Sequence, residues 1–344
     1  MNKPITIVGG GLAGLALGIG LRQQAVPVTI FEAGKYPRHR VCGEFISGRG
    51  QRSLALLGLR EKLAVAGAHV AETASFFSGK INSPVKPLPA PALCLSRFVL
   101  DDLLATEFRA LGGDLRTNSR WNESFGEGMV RATGRRVQSV VDGWRFFGLK
   151  VHARQVPLDA DLEMHFVPAG YVGLCQLNGG EVNICGLFRS RTALPELSTR
   201  WRDWLMGPPD SSLRARLANA EFDESSFCSV AGLSLQPNQA SSQKEFSIGD
   251  SLTMIPPVTG NGMSMAFESA ELSIKPLVDY SAGKISWAEA QETIAARCDA
   301  TFRPRLRWAR LLQSALFQPA LLRITLLVGS RLPGFWPLFF SQTR

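Results

Sequence analysis

A chain of 344 residues that is 45% apolar and 19% charged is too apolar for disorder and long enough for one large domain or two ordinary ones. Its net charge of +9 is concentrated at one end: no Asp, Glu or Lys follows Asp299, while Arg303, Arg305, Arg307, Arg310, Arg323, Arg331 and Arg344 give the last 45 residues +7. No nucleic-acid-binding module or basic-aromatic repeat accompanies that charge, so no nucleic-acid partner is expected.

The first elements lie in "ITIVGGGLAGLALGIGLRQQAVPVTIFEA". Ile5 to Val8 reads as a short β-branched strand, Leu12 to about Gln23 as an apolar helix, and Val28 to Phe31 as a second strand ending at Glu32. Gly9, Gly11 and Gly14 form G-x-G-x-x-G between them: the first allows a tight turn, the second lets backbone approach a pyrophosphate, and the third permits close helix-sheet packing. The helix N-terminus presents free N–H groups and the positive end of its dipole to the phosphates. Glu32, 18 residues after Gly14, is placed to accept hydrogen bonds from a ribose diol. An acid there disfavours a 2′-phosphate, so FAD or NAD fits better than NADP.

In the next stretch, "YPRHRVCGEFIS", Cys42 follows Arg38, His39 and Arg40 and precedes Gly43-Glu44. The cationic neighbours are expected to lower the Cys42 pKa and favour its thiolate, or else to stabilise a reduced cofactor and its pyrophosphate. Three roles stay open for Cys42: an active-site group that delivers protons or touches substrate, a packing residue, or a covalent or redox link. Glu44 is an acid-base group if buried and a solvated loop acid otherwise. Farther on, in "LSRFVLDDLL", Ser96 can cap a helix that opens at Arg97. The six cysteines form no CxxC pair and no metal spacing, and no secretory leader precedes residue 4, so reduced thiols in a cytoplasmic protein are expected.

From about 145 to 190 the pattern changes to period two in "WRFFGLKVHARQVPL", "LEMHFVPAGYVGLCQL" and "EVNICGLFRS", with a turn at Asn178-Gly179-Gly180. This is an antiparallel sheet. Phe147, His152, Phe166 and Tyr171 are its candidates for a hydrophobic substrate pocket, against the plainer reading of aromatic core. His152 and His165 lack metal-ligand spacing, and no metal is assigned. "EFSIGDSLTMIPPVTGNGMSMAFESAELSIKPLVDY" reads as a strand (Phe246 to Ile248), Gly249-Asp250, a Pro-rich loop and a helix opening near Gly262. In the apolar tail, Pro319, Arg323 and Pro333 interrupt every window of the roughly 20 residues that a membrane-spanning helix needs. Arginines with Trp308, Phe317, Trp336 and Phe339 on helical stretches suit peripheral membrane contact, or packing on the tail's own domain.

Gly249-Asp250 followed by Pro257, Gly260, Asn261, Gly262 and Met263 resembles the Gly-Asp motif and flavin loop of the FAD-dependent oxidoreductases that include aromatic hydroxylases, geranylgeranyl reductases and flavin-dependent halogenases. "YPRHRVCGEFIS" is similar to the P-R-x-K-x-C-G-E/G run of the geranylgeranyl-reductase-like branch, with Arg40 where that pattern has Lys. "GYVGLCQLNGGEVNICGL" looks like a strand pair of reductase-like and halogenase-like members. With the first βαβ unit, the likeness spans residues 5 to 280.

It implies an α/β fold: a Rossmann-like FAD-binding domain in three parts (1–68, 96–142, 241–300), an inserted antiparallel β-sheet substrate domain (69–95, 143–240) and basic apolar C-terminal helices (301–344). It implies FAD bound by Gly9, Gly11, Leu12, Ala13, Gly14, Glu32, Ala33, Arg40, Cys42, Gly43, Arg97, Gly249, Asp250, Pro257, Gly260, Asn261, Gly262 and Met263. Arg97 would clamp the pyrophosphate through bidentate hydrogen bonds, Asp250 would bind the ribityl chain, and the loop amides would surround flavin N1 and O2. Gly43 would let backbone pass close to the flat ring, with Cys42 and Glu44 as the candidate catalytic residues. The leading expectation is monooxygenation of a hydrophobic aromatic or polyketide-like small molecule through a flavin C4a-hydroperoxide. Reduction of isoprenoid carbon-carbon double bonds is the alternative, and a non-catalytic flavin-binding protein the third. Where aromatic hydroxylases carry an Asp-Gly dipeptide for FAD and nicotinamide, this chain has Ala132-Thr133-Gly134, which leaves the electron donor open between NAD(P)H and another external reductant. The halogenase W-x-W-x-I-P signature is absent.

Overall fold

The computed structural model describes residues 2–318 and 321–322, apart from positions 80, 136, 139, 142, 194, 195 and 198. Its first unit is the one read from the sequence: strand β1 (Ile5–Val8), helix α1 (Leu12–Gln23) and strand β2 (Val28–Phe31), with β1 and β2 paired in parallel. A parallel pair needs a crossover, and α1 supplies it. Leu12 to Leu21 are all buried, because α1 is covered on every side.

The chain continues through β3 (Phe45–Ile46), α2 (Arg49–Leu56), α3 (Arg60–Val65), β4 (His69–Ser78), β5 (Ile81–Asn82), β6 (Lys86–Cys94), α4 (Arg97–Ala110), β7 (Asp114–Arg116) and β8 (Met129–Arg131). Then come β9 (Arg145–Arg154), β10 (Leu162–Val167), β11 (Gly170–Gln176), β12 (Val182–Ser190), short helices α5 (Trp201–Leu205) and α6 (Ser212–Arg216), β13 (Glu221–Ala231), α7 (Gly262–Ser281) and α8 (Trp287–Leu316). Two sheets result. The smaller is parallel, in the order β7-β2-β1-β8. The larger runs β13-β9-β12-β11-β10-β4-β6-β3, antiparallel except where β10 meets β4. This is a Rossmann-like domain with an inserted antiparallel sheet and helices at its C-terminal end.

Phe246 to Ile248 differ from the expected strand. They form a single parallel bridge, Ser247 to Arg131, with Arg131 N donating to Phe246 O at 2.8 Å and Ile248 N to Arg131 O at 3.0 Å. Gly249 then takes φ +59° and turns the chain out of the sheet.

The alternation of the large sheet divides its side chains between two environments. Phe147, Leu149, Val151, Val172, Leu174, Ile184 and Phe188 form one core beneath Trp201 and Leu205 of α5 and Leu213 of α6. On the opposite face, Phe146, Tyr171 and Leu187 pack with Val258 of the loop before α7 and with Leu312 of α8.

Helix α7 lies against α1, and α8 is fastened to it by a buried bidentate pair: Arg305 Nη1 and Nη2 each donate to Glu268 at 2.8 Å. A capping box at Ser286 and Glu289 starts α8, which runs unbroken across position 300. Trp308 is exposed on it; Pro319, Arg323, Arg331, Pro333, Trp336, Phe339 and Arg344 lie outside the described residues. No described helix is long and apolar enough to cross a membrane.

Candidate cofactor and active site

The three motif glycines hold three different positions. Gly9 has φ +112°, and a Cβ there would sit 2.2 Å from Ala132 O; a Cβ on Gly14 would sit 2.0 Å from Gly9 O. Both are required by the chain's own packing. Gly11 is the helix N-cap, and a Cβ on it would meet no protein atom within 4 Å. It faces open space in front of the first turn of α1, where Leu12 and Ala13 begin the helix.

Glu32 closes one side of this space. Its carboxylate accepts Gly10 N at 2.9 Å, Gly34 N at 2.8 Å and Arg38 Nη1 at 2.8 Å. Burial works to raise its pKa, but Arg38 and the two amides hold it below the ordinary value. The Tyr36 hydroxyl donates to Gly10 O, laying that ring along the turn. Ala33 follows Glu32 at the rim.

Nε and Nη2 of Arg38 and Nε of Arg40 are buried without a hydrogen-bond partner among the described residues. Burial, followed by the charges of Arg38 and Arg97, pulls the Arg40 pKa down. Guanidinium nitrogens that are desolvated and mutually repelling call for an anion. These unpartnered donors and the open cradle at Gly11 fit a pyrophosphate.

Arg97 departs from the expected pyrophosphate clamp. Its Nε and Nη2 form the bidentate pair with Asp101, one turn along α4, at 2.6 and 2.8 Å, which leaves Nη1 as its remaining nitrogen. Ser96 caps α4 as expected. The Asp250 carboxylate has no hydrogen bond among the described residues, and burial pushes its pKa up against the opposing charges of Arg135 and Arg97. Pro257 opens a 3-10 turn, Gly260 takes φ +60°, and Asn261 and Met263 are buried at the start of α7, with Gly262 its first residue. A Cβ at Gly260 would lie 2.0 Å from the Phe45 ring, so that loop and the strand after Gly43-Glu44 touch. A Cβ on Gly43 would make only an ordinary 3.5 Å contact with Phe45.

Cys42 corrects the sequence reading. Burial raises its pKa, and the cation beside it that works the other way is Arg97 rather than Arg38, His39 or Arg40. A thiol is therefore expected at neutral pH. Glu44 is fully buried with φ +59°; it accepts Arg97 N at 2.9 Å and lies 2.7 Å from His152 Nε2. His152 is thus held between acids, Glu44 and Glu181, and does not line the apolar pocket. Phe147 does not line it either, since it stacks on Phe188 and Trp204 on the opposite face of the sheet. Phe166 and Tyr171 lie together on the face opposite that core, ring centroids 6.4 Å apart, in one apolar cluster with Val258 and Leu312.

The Tyr171 hydroxyl is buried without a partner among the described residues, and burial drives its pKa far up. Because no hydrogen bond is lost, Tyr171→Phe is expected to keep or raise stability by up to about 1 kcal/mol in chemical denaturation. A loss above that size would mean that the hydroxyl has a partner.

Sequence reasoning missed Tyr36, Lys150, Glu181 and Asn183. Lys150 carried a readable signal, a charge at the inward phase of an otherwise buried strand; Asn183 Nδ2 donates to Cys42 O at 3.0 Å, a pairing that no local pattern announces. Among the described residues no cluster of His, Cys, Asp and Glu could hold a metal.

No family model matches the sequence. A curated relative, conditioned medium factor receptor 1 of Dictyostelium discoideum, is 27% identical over 127 residues, which are 33% of this chain and 25% of that protein. The chain therefore spans only about a quarter of that relative's length. Likeness among solved structures is broader. A triple mutant of the flavin-dependent brominase Bmp2 is matched with a TM-score of 0.72 at 15% identity, over 98% of this chain and 97% of that one. Pseudomonas aeruginosa PqsL in complex with 2-aminobenzoylacetate gives a TM-score of 0.71 at 15% identity, over 92% and 97%. The flavin-dependent halogenase CmlS gives 0.74 at 17%, over 100% of this chain and 68% of its own. The fold of this chain is that of flavin-dependent halogenases and monooxygenases.

Proposed function

We propose that the chain is an FAD-dependent oxidoreductase and that it hydroxylates a hydrophobic aromatic or polyketide-like small molecule. The observation that carries the cofactor is the open cradle at Gly11 beside guanidinium nitrogens of Arg38 and Arg40 that lack a partner. Bound FAD would supply the redox chemistry, taking electrons from NAD(P)H or another external donor and passing them to O2. The chain's own part is binding and shielding. Glu32 would hold the ribose, Arg38 and Arg40 the pyrophosphate, and Asp250 the ribityl chain. The first turn of α7, Asn261 to Met263, would set amides and a positive dipole end at the pyrimidine edge. Phe146, Phe166, Tyr171 and Leu187 would exclude water over the ring. PqsL binds 2-aminobenzoylacetate, a small aromatic acid, which supports a small aromatic substrate here.

The test is oxygen uptake coupled to product mass. An added oxygen atom supports hydroxylation. Two added hydrogens would favour the second reading, an isoprenoid double-bond reductase, for which the buried Glu44 beside Cys42 would provide the proton. No flavin reduction, and no stimulation of NAD(P)H oxidation by any substrate, would support the third reading, a non-catalytic flavin binder.

Asp250 yields a pH prediction. Its folded-state pKa lies above the ordinary 3.8, so the folded apoprotein binds this proton more tightly than the unfolded chain. Stability is therefore lost as pH rises from the unfolded value through the folded one. Asp250→Asn is expected to raise apoprotein stability at pH 7, to lose that advantage near pH 3, and to weaken FAD retention. Denaturant midpoints across pH and the FAD content of purified protein check both; full FAD occupancy in the variant would remove Asp250 from the site.

We also propose peripheral contact with anionic lipid through α8. Trp308 and Leu311 are exposed on the same helix as Arg303, Arg307 and Arg310, which form no ion pair among the described residues. Cosedimentation with phosphatidylserine vesicles, absent with neutral ones, is the expected result.

A further inference from the structure

Beside the Cys42-Gly43-Glu44 loop, the sheet carries a chain of titratable side chains that cofactor binding does not use. Glu181 Oε2 lies 3.2 Å from His152 Nδ1, and His152 Nε2 lies 2.7 Å from Glu44 Oε2. On its other oxygen, Glu44 accepts Arg97 N and stands 3.6 Å from Lys150 Nζ, which in turn lies 3.0 Å from His39 Nδ1. Glu44, Lys150 and His152 are buried, whereas the Glu181 side chain keeps 27% of its surface. The path therefore leads from solvent to the backbone between Cys42 and Phe45.

Counting formal charges, two carboxylates against Lys150 leave a deficit of one, and a proton on His152 neutralises the group. Burial opposes that proton, as does Lys150, but hydrogen bonds to Glu181 and Glu44 outweigh both and hold the imidazole pKa above the ordinary 6.5. Asp223 also faces His152 and His39, and Arg154 faces Glu181. His39 is driven the other way, by burial and by the charges of Lys150 and His152. An apolar cluster of equal size would fasten the loop as well. What the ionisable chain adds is a route for a proton.

We propose that Glu181, His152 and Glu44 form a proton relay from solvent to the cofactor-facing loop at Cys42, with Lys150 and His39 holding Glu44 in position. This rests on the FAD reading above. The His152 imidazolium passes its Nε2 proton to the ionised Glu44 at Oε2, Glu44 gives that proton toward the site, and the ring, left neutral with its remaining proton on Nδ1, is recharged by a proton that water supplies from the Glu181 side. One proton enters and one leaves, with no change in oxidation state along the relay.

Two readouts test it. The first needs no cofactor: in FAD-free protein with 13C-labelled histidine, His152 is expected to titrate above 6.5 and to titrate lower in Glu181→Gln. The second uses FAD-loaded protein reduced with dithionite and mixed with O2, a reaction in which FADH−, O2 and one proton give FAD and H2O2. At pH 8, Glu181→Gln and His152→Gln are expected to slow reoxidation by about 100-fold, and imidazole or methylimidazole buffer to restore the Glu181→Gln rate. A residue that only braces the loop is not rescued by a diffusible acid. An unslowed Glu181→Gln variant, or a slowed one that these buffers leave slow, overturns the relay. If His152→Gln fails to fold, the half-buried Glu181 carries the test alone. A His152 titration indifferent to Glu181 overturns the relay by itself, while a protein that takes up no FAD overturns the cofactor reading and the relay's destination together.

Discussion

Gly11→Ala is expected to leave the apoprotein as stable as the parent and to weaken FAD binding by about 100-fold, a loss of about 2.8 kcal/mol. The backbone at Gly11, φ −86° and ψ −171°, is open to any residue, and the added methyl meets no protein atom within 4 Å. It would fill only the space through which a pyrophosphate reaches the N–H groups of α1. Gly14→Ala is the contrasting control, because its Cβ would lie 2.0 Å from Gly9 O and must displace backbone. That variant is expected to lose fold and cofactor together. Thermal unfolding of the apoproteins, with FAD titration followed by flavin fluorescence, separates the two. If Gly11→Ala binds FAD as the parent does, the phosphates do not pass this turn and the proposed cradle is wrong.

Local chemistry made the first βαβ unit legible: β-branched strands, a glycine turn and an acid at the next strand end specify one another within 30 residues. The loop from Asp250 to Gly262 was readable for the same reason. What the sequence hid was long-range. Arg97 sits where a pyrophosphate clamp was expected, but Asp101 one turn later takes its fork, a competition invisible until α4 is built. The cationic neighbours of Cys42 in sequence suggest a lowered pKa or a stabilised cofactor; in the fold Arg38 turns toward Glu32 and His39 toward Lys150, and burial decides the thiol. Phe147 and His152, two of the four pocket candidates, are engaged elsewhere for two different reasons. Strand parity puts Phe147 under α5, and partners 108 and 29 residues away in sequence, Glu44 and Glu181, claim His152.

Arg305→Ala is expected to cost about 3–5 kcal/mol, because it leaves the Glu268 carboxylate buried without the one cation that pairs with it among the described residues. Both side chains are at most 6% exposed, and both guanidinium nitrogens are engaged at 2.8 Å, so water cannot readily replace the lost partner. The pair joins α8 to α7 six residues after Gly262, so it also fixes the helix whose first turn is proposed to meet the flavin. Replacing both partners, as in Glu268→Leu with Arg305→Met, should recover most of the stability, since no unpaired charge remains and the volume is kept. Chemical denaturation of the two single variants and the double variant measures this coupling. A loss below about 1 kcal/mol in Arg305→Ala would mean that the pair behaves as an exposed one, and that apolar contacts such as Phe302 and Leu306 hold α8 in place without it.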